Sequence, residues 1–136
     1  METKQSSFQF IDFLIEKSVI KRKPVKKKDN ISIDIKPTGI YYKENNKFQL
    51  NLDVILTTAS ERVYAEVRAI GLFLISNDKS KDVDDFFCLN APAILFPHVR
   101  AYLYALTSLS GMGTVVIPTL NLTHLKDPLR EAIEYK

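Results

Sequence analysis

The sequence has one cysteine, two histidines, four glycines and no tryptophan among its 136 residues. The single Cys88 cannot form an intrachain disulfide, and no set of Cys and His stands at the spacing of a zinc site. Because free cysteine is usually buried, we expect Cys88 to be buried or half-buried. The sequence therefore predicts neither a disulfide framework nor a bound metal.

Long apolar runs and the common catalytic motifs are also missing. No segment reaches the roughly 18 apolar residues of a membrane span, and the N-terminus does not resemble a signal peptide. Gly-rich phosphate loops and nucleophile elbows are absent, and His98 has no serine or cysteine nucleophile beside it. Asp82, Asp84 and Asp85 are best interpreted as an acidic surface loop. We therefore expect a cytoplasmic protein with no enzyme activity, no cofactor and no membrane insertion.

Positive charge is concentrated in one short segment. Six of the eight residues from Lys21 to Lys28 are basic, and the remaining 13 basic and 16 acidic residues would give a net charge of −3 instead of +3. Such a segment can bind nucleic acid, yet a solvated loop interrupted by Pro24 explains it equally well. No aromatic residues are interleaved for base stacking, so nucleic acid stays an alternative partner.

Alternating apolar residues predict four strands in the first part of a single domain, residues 1–136. Residues 8–20 favour a strand, although Ile11, Leu14, Ile15 and Ser18 also allow a helical stripe. Short polar connections between consecutive strands favour an antiparallel sheet. The other predicted strands cover residues 31–35, 48–56 and 63–75, with Pro37 and Gly39 bending or interrupting the second one.

A helical part is predicted after a polar loop over residues 77–85. Pro97 suits a first helical turn, and Gly111 and Gly113 suit an end, which indicates a helix over about 97–110. This helix is apolar around much of its circumference, so contact with another subunit is expected, although burial inside the monomer would give the same pattern.

The C-terminal part is predicted to be an extended segment followed by a short helix. Residues 114–122 are extended, and Leu125, Leu129 and Ile133 form a helical stripe. Pro128 disfavours helical geometry in the residue before it, so Asp127 is a candidate cap for a helix over about 128–135.

Residues 90–100 (NAPAILFPHVR) resemble the run that precedes and opens the long helix of the SecB protein-export chaperones. The resemblance continues through Gly111, Pro118 and the pair Asn121 and Leu122, and it is strongest over residues 88–122. It is weaker in the sheet, where residues 65–67 (AEV) precede a glycine and a phenylalanine in the fourth strand.

The resemblance implies an α+β fold, in which a long helix and a shorter C-terminal helix pack on one side of a four-stranded antiparallel sheet. It also implies a homotetramer, built as a dimer of dimers, that binds unfolded precursor proteins without ATP and delivers them to SecA for export. Candidate residues for the client-binding groove are Phe8, Phe10, Ile33, Ile35, Leu122, Leu125 and Leu129. Candidates for the oligomer interface are Val67, Val99, Leu103 and Leu106, and those for a SecA contact are Tyr64 and Glu66.

The sequence departs from the SecB pattern at the surface that the family presents to SecA. That surface is typically acidic, whereas Ser18 and Arg22 fall near the acidic positions here and a lysine run follows. His98 stands where a tyrosine usually follows Phe-Pro. These departures keep open a SecB-like chaperone dedicated to the antitoxin of a toxin–antitoxin pair.

Overall fold

A computed structural model describes residues 8–25, 29–76 and 82–136 of the chain. Its first four strands are β1 (Phe8–Arg22), β2 (Ile31–Tyr42), β3 (Lys47–Thr58) and β4 (Val63–Ile75). They are followed by helix α1 (Asp85–Leu109), a 3-10 turn (Thr123–Leu125), helix α2 (Lys126–Glu131) and strand β5 (Ile133–Tyr135). Residues 26–28 of the lysine run and 77–81 of the predicted loop lie outside the described residues.

The strands form one sheet in the order β1-β4-β3-β2-β5. β1 to β4 pair antiparallel as predicted, but β5 pairs parallel to β2, so the sheet is five-stranded and mixed rather than four-stranded and antiparallel. Gly39 donates a backbone hydrogen bond to Ala132 at 3.2 Å, and Lys136 donates to Tyr41 at 2.8 Å. A strand of three residues shows no detectable alternation, which is why the sequence suggested helix at Ile133.

β1 is the strand that the sequence favoured, but two irregularities change which side chains share a face. The register with β4 shifts between Phe10 and Asp12 and again between Ile15 and Lys17. Each bulge adds a residue and reverses the alternation beyond it. Phe13 and Ile15 therefore lie on the same sheet face as Phe10, which strict alternation had placed opposite.

β2 continues to Tyr42, beyond the predicted stop at Pro37 and Gly39. Pro37 is tolerated because its missing N–H would point toward the outer edge of β2 and not toward β3. Gly39 leaves room for the ring of Phe48 on the neighbouring strand, since a Cβ at this position would overlap that ring. Both residues are therefore compatible with a continuous β2, and neither ends the strand.

α1 begins at Asp85, twelve residues before the predicted start at Pro97. The carboxylate of Asp84 accepts a hydrogen bond from the backbone N–H of Phe87 at 2.9 Å and caps the helix. Pro92 and Pro97 both lie inside the helix. Placing the start at a proline was therefore wrong. The predicted end holds, because Gly111 and Gly113 adopt φ of 87° and 91° just beyond it.

α2 is shorter and starts earlier than predicted. It covers Lys126–Glu131, its cap residue is Leu125, and no side chain caps it, so the capping role expected for Asp127 was wrong. Arg130 instead joins α2 to the start of α1 through an ion pair with Asp85 at 2.8 Å.

The core lies between the sheet and α1. The ring centroid of Phe87 lies 4.7 Å from that of Phe48, 5.1 Å from that of Phe8 and 5.3 Å from that of Phe73. Cys88 is fully buried, as expected, and desolvation by this burial raises the pKa of its thiol to about 11. The thiol is therefore uncharged and unreactive near neutral pH.

Candidate functional site

An apolar groove runs between β2 and the extended segment that precedes α2. One part of it has a volume of about 320 Å³ and lies beside residues 33–37 of β2. A second part of about 380 Å³ shares Ile33 and Leu120 with the first, so the two are continuous. The apolar side chains that line the groove are Ile31, Ile33, Ile35, Pro37, Pro118, Leu120, Leu122, Leu125 and Pro128.

The strand beside this groove has a backbone edge that no described residue pairs with. Gly39 and Tyr41 direct their backbone groups toward β5, so by alternation the odd-numbered residues of β2 point away from β3. β5 pairs only with residues 39–41, and the described residues supply no backbone partner for residues 31–37 on that side. Ile33 and Ile35 thus offer both apolar side chains to the groove and backbone groups at its side.

The segment that forms the other wall also borders a second concavity, of about 440 Å³, on the side of α1. Leu120 and Leu122 line both spaces. The guanidinium of Arg100 donates to the carbonyl of Pro118 at 3.1 Å and lies 5.5 Å from the ring centroid of Phe96. These contacts fix the segment at one point between α1 and the sheet.

The structure brings together four of the seven residues predicted for the groove, namely Ile33, Ile35, Leu122 and Leu125. Ile33 and Ile35 are half-buried, whereas Leu122 and Leu125 are buried and form the floor. The predicted residues outside the groove are Phe8 and Phe10, which lie with Phe73 and Phe87, and Leu129, which is completely buried in the core.

Leu120 and Pro37 line the groove but were not predicted to do so. The extended character of residues 114–122 was visible in the sequence, but their position against β2 depends on the path of the chain after α1. The alternation of Ile31, Ile33 and Ile35 was a signal for Pro37. Because β2 continues past Pro37, the same alternation places this residue on the groove face.

The residues predicted for an oligomer interface are mostly covered by their own chain. Val67, Val99 and Leu103 are at most 1% exposed between α1 and the sheet, and Leu106 is half-buried. The exposed side of α1 is nevertheless poor in charge, because Asp85 in the first turn and Arg100 are the only Asp, Glu, Lys or Arg residues of this helix. That side, which we call the α1 outer face, consists of Phe86, Leu89, Ala93, Pro97, Ala101 and Tyr104.

Tyr64 and Glu66, the candidate SecA contacts, lie on the sheet face opposite α1. The Glu66 carboxylate pairs with the Lys17 ammonium at 3.2 Å and accepts a hydrogen bond from the Tyr64 hydroxyl at 3.3 Å. The carboxylate is therefore already occupied by a neighbour from β1.

Asp29, two residues before β2, binds the turn between β3 and β4. Its carboxylate accepts from the backbone N–H of Ser60 at 2.6 Å and pairs with the Arg62 guanidinium at 2.7 Å. Hydrogen bonding from Ser60 and then from Arg62 lowers the pKa of Asp29 from 3.8 to about 2.

This lowered pKa predicts an acid-sensitive part of the stability. The unfolded chain takes up a proton at Asp29 near pH 3.8 and the folded chain only near pH 2, so the stabilisation is present above 3.8 and is lost as the pH falls toward 2. Urea unfolding of wild type across this window should show the decline. An Asp29→Asn variant should be less stable at neutral pH and should show a shallower decline. Equal slopes for the two proteins would contradict this role.

A cluster of metal ligands and a membrane-spanning helix are both missing from the described residues. Residues 8–25, 29–76 and 82–136 contain no group of three or more His, Cys, Asp or Glu side chains placed to hold a metal ion. No helix within the described part of the chain combines the length and apolarity needed to cross a membrane.

An apolar groove beside a strand edge that has no partner among the described residues is a geometry to which an extended polypeptide can add as a further strand. The family described as preprotein translocase subunit SecB matches residues 12–127. The chain therefore belongs to the SecB family, as its resemblance to these chaperones predicted.

Two individual proteins are also similar to this chain. The uncharacterized protein MJ0357 of Methanocaldococcus jannaschii is 30% identical over 133 residues, which cover 91% of this chain and 81% of that protein. The second is the solved structure of the Mycobacterium tuberculosis SecB-like chaperone Rv1957, in complex with a ChAD peptide from the Rv1956 HigA1 antitoxin. It matches with a TM-score of 0.71 at 15% identity and covers 84% of this chain and 88% of that one, a likeness of fold.

Proposed function

We propose that this protein is an ATP-independent chaperone that holds unfolded polypeptides in the groove between β2 and residues 118–125. The observation that carries the proposal is that the apolar groove lies beside the edge of β2 at Ile33 and Ile35, which has no strand partner in the part of the chain that the structure describes. Membership of the SecB family supports it. We place this activity in the cytoplasm, where precursor proteins are unfolded before export.

Binding in such a groove needs little sequence specificity in the client. Backbone groups of residues 31–37 can pair with any extended chain that adds as a further strand. Alternate side chains of the client would then enter the apolar groove, where burial contributes about 25 cal/mol per Å². Neither contribution requires nucleotide hydrolysis, and the release of a client would follow from its own folding or its transfer.

We further propose that chains associate through the α1 outer face. A helix surface of Ala93, Pro97, Ala101 and Tyr104 exposes little charge to water, which favours contact with a symmetry-related copy. Val67, Val99 and Leu103, which were predicted for the interface, would then pack between α1 and the sheet within one chain. We expect a closed homotetramer, built as a dimer of dimers.

A dedicated antitoxin chaperone is the second candidate function. The observation that favours it is the similarity of fold to Rv1957, whose structure contains an antitoxin peptide. Both functions use the same groove and differ in the client. A toxin–antitoxin pair encoded beside this chain would favour the antitoxin client, and its absence would favour general precursor proteins.

Delivery of clients to SecA is not included in the proposed function, because the surface that would contact SecA differs in charge. Glu66 is paired with Lys17, and Lys21, Arg22 and Lys23 follow on the same end of the sheet, so the acidic surface used by the family for SecA is replaced by a largely basic one. Nucleic acid is a weaker candidate than a polypeptide, because Glu61 and Glu66 lie among these cations.

Aggregation of a denatured client tests the proposed function directly. Equimolar protein should suppress light scattering by a chemically denatured client diluted into buffer without nucleotide, and added ATP should change nothing. A protein of similar size and charge that has no chaperone activity serves as the control for crowding. Unchanged client aggregation at equimolar protein would overturn the proposal.

A further inference from the structure

A further concavity, of about 610 Å³, lies at the end of the sheet on the face opposite α1. The strand register places Lys21 of β1 and Thr57 of β3 on either side of Tyr64 in β4. It also places Val19 beside Glu66. These side chains point away from the helix layer, so this concavity, the sheet-end pocket, is separate from the client groove.

The sheet-end pocket combines an apolar floor with a mostly basic rim. Val19 and the ring of Tyr64 are half-buried and form the floor. The ammonium groups of Lys21 and Lys23 line the pocket with the carboxylates of Glu61 and Glu66, and Glu66 is already paired with Lys17 outside the lining. Arg22 also lines the pocket, but its guanidinium is bound at the end of α1.

The exposed cations of this rim are available to a partner. Lys23 faces Glu61 at 3.7 Å, but both side chains are largely exposed, at 59% and 83%, so this ion pair contributes little. Lys21 is exposed and has no carboxylate within ion-pair distance among the residues that the structure describes.

The backbone around the pocket is held in place by several side chains. The Arg22 guanidinium donates to the carbonyl of Thr107 at 2.8 Å and to that of Met112 at 3.2 Å, which fixes the end of β1 to the end of α1. The backbone N–H of Lys23 donates to the carbonyl of Arg62 at 3.0 Å, and Asp29 holds Arg62 from the other side. A rim fixed in this way lowers the entropy cost of binding.

The charge pattern favours an acidic polypeptide over nucleic acid. A phosphate backbone carries a continuous row of negative charges and would pass close to Glu61 and Glu66. A peptide can place Asp or Glu beside Lys21 and Lys23 and an apolar side chain over the Val19 and Tyr64 floor, leaving uncharged residues near the two glutamates.

We infer that the sheet-end pocket is a docking site for a short acidic peptide segment that carries an apolar or aromatic residue. Its position opposite the helix layer lets the chain hold such a partner while the client groove is occupied. The inference goes beyond the holdase function, because it assigns a separate site with its own ligand chemistry.

Fluorescence anisotropy with a labelled peptide of Asp and Glu around a central Phe tests this site on the full chain. The wild type should bind this peptide more tightly than one with Lys in place of the acids, and affinity should fall as salt is raised. Lys21→Glu with Lys23→Glu should weaken binding at least about tenfold, because two attractive charges become repulsive.

Lys43→Glu with Lys47→Glu is the matched control, since it changes the net charge equally at the β2–β3 hairpin, at the end of the sheet away from both the pocket and the client groove. This control should bind the peptide like wild type, and the Lys21 and Lys23 double variant should still suppress client aggregation. Equal binding of the acidic and basic peptides, unchanged binding by the double variant, or tighter binding of a single-stranded oligonucleotide would each overturn the inference. Failure of the wild-type protein to suppress client aggregation would overturn the holdase proposal and leave the sheet-end pocket unaffected.

Discussion

Replacing both Ile33 and Ile35 by Asp is expected to reduce affinity for an unfolded client about a hundredfold or more. Each isoleucine lines the groove between β2 and residues 118–125, and burying such a side chain contributes roughly 1.5–3 kcal/mol. The substituted carboxylates would also have to lose water when a client enters. Titration of a labelled, permanently unfolded client followed by anisotropy gives the two dissociation constants.

Ile40→Asp is the matched control for this prediction. Ile40 lies on the same strand and is half-buried like Ile33, but its side chain faces the opposite side of the sheet. This control should retain client affinity within a few-fold, and Ile33→Ala should give a smaller loss while disturbing the fold less. Equal losses in the Ile33 and Ile40 variants would contradict a role for the groove.

Tyr104→Glu is expected to break the assembly into smaller species. Tyr104 is 52% exposed at the C-terminal end of the α1 outer face, so the substitution costs one isolated chain little. In the assembly, the new carboxylate would lose its water without a partner, and a closed symmetric interface repeats this cost at every copy. Light scattering should give a particle mass of roughly four times that of one chain for wild type and a smaller mass for the variant.

Ser32→Glu is the control for added charge, because Ser32 is exposed on the sheet face opposite α1. Its mass should equal that of wild type, and Ala101→Glu should behave like Tyr104→Glu. A Tyr104→Glu protein that keeps the wild-type mass would show that this helix face is not the interface.

The sheet could be predicted largely from local patterns. Alternation is visible along β3 and in the first part of β4, which then becomes apolar on both faces, and both strands are found where these patterns placed them. The side chains of β1 could not be assigned to faces, because the bulges near Phe10 and Ile15 reverse the alternation without any glycine or proline to mark them.

Proline misled the sequence interpretation in two places for a common reason. Pro37 was expected to bend or interrupt β2 and Pro97 to open α1, yet each lies inside its element. In β2 the missing N–H faces an open edge, and in α1 burial of Phe87, Leu95 and other apolar residues outweighs the lost hydrogen bonds. Tertiary packing decides such cases, and one sequence does not show it.

The groove was predicted in part. Ile33 and Ile35 were selected through the resemblance to SecB and by alternation, and the structure places them beside Leu122 and Leu125. Leu129 was also predicted for the groove, yet its side chain turns inward and is completely buried. The position of Leu120 depends on how the chain returns across the sheet after α1, which no local pattern specifies.

Amide hydrogen exchange with and without a bound unfolded client tests the central claim most directly. The N–H groups of Ile33 and Ile35 point away from β3 and should exchange fast in the free protein. Client bound along the β2 edge should slow them strongly, while Asp34 and Lys36, which already pair with β3, should change little. Client binding that leaves Ile33 and Ile35 unprotected would show that this protein does not hold polypeptides at the groove.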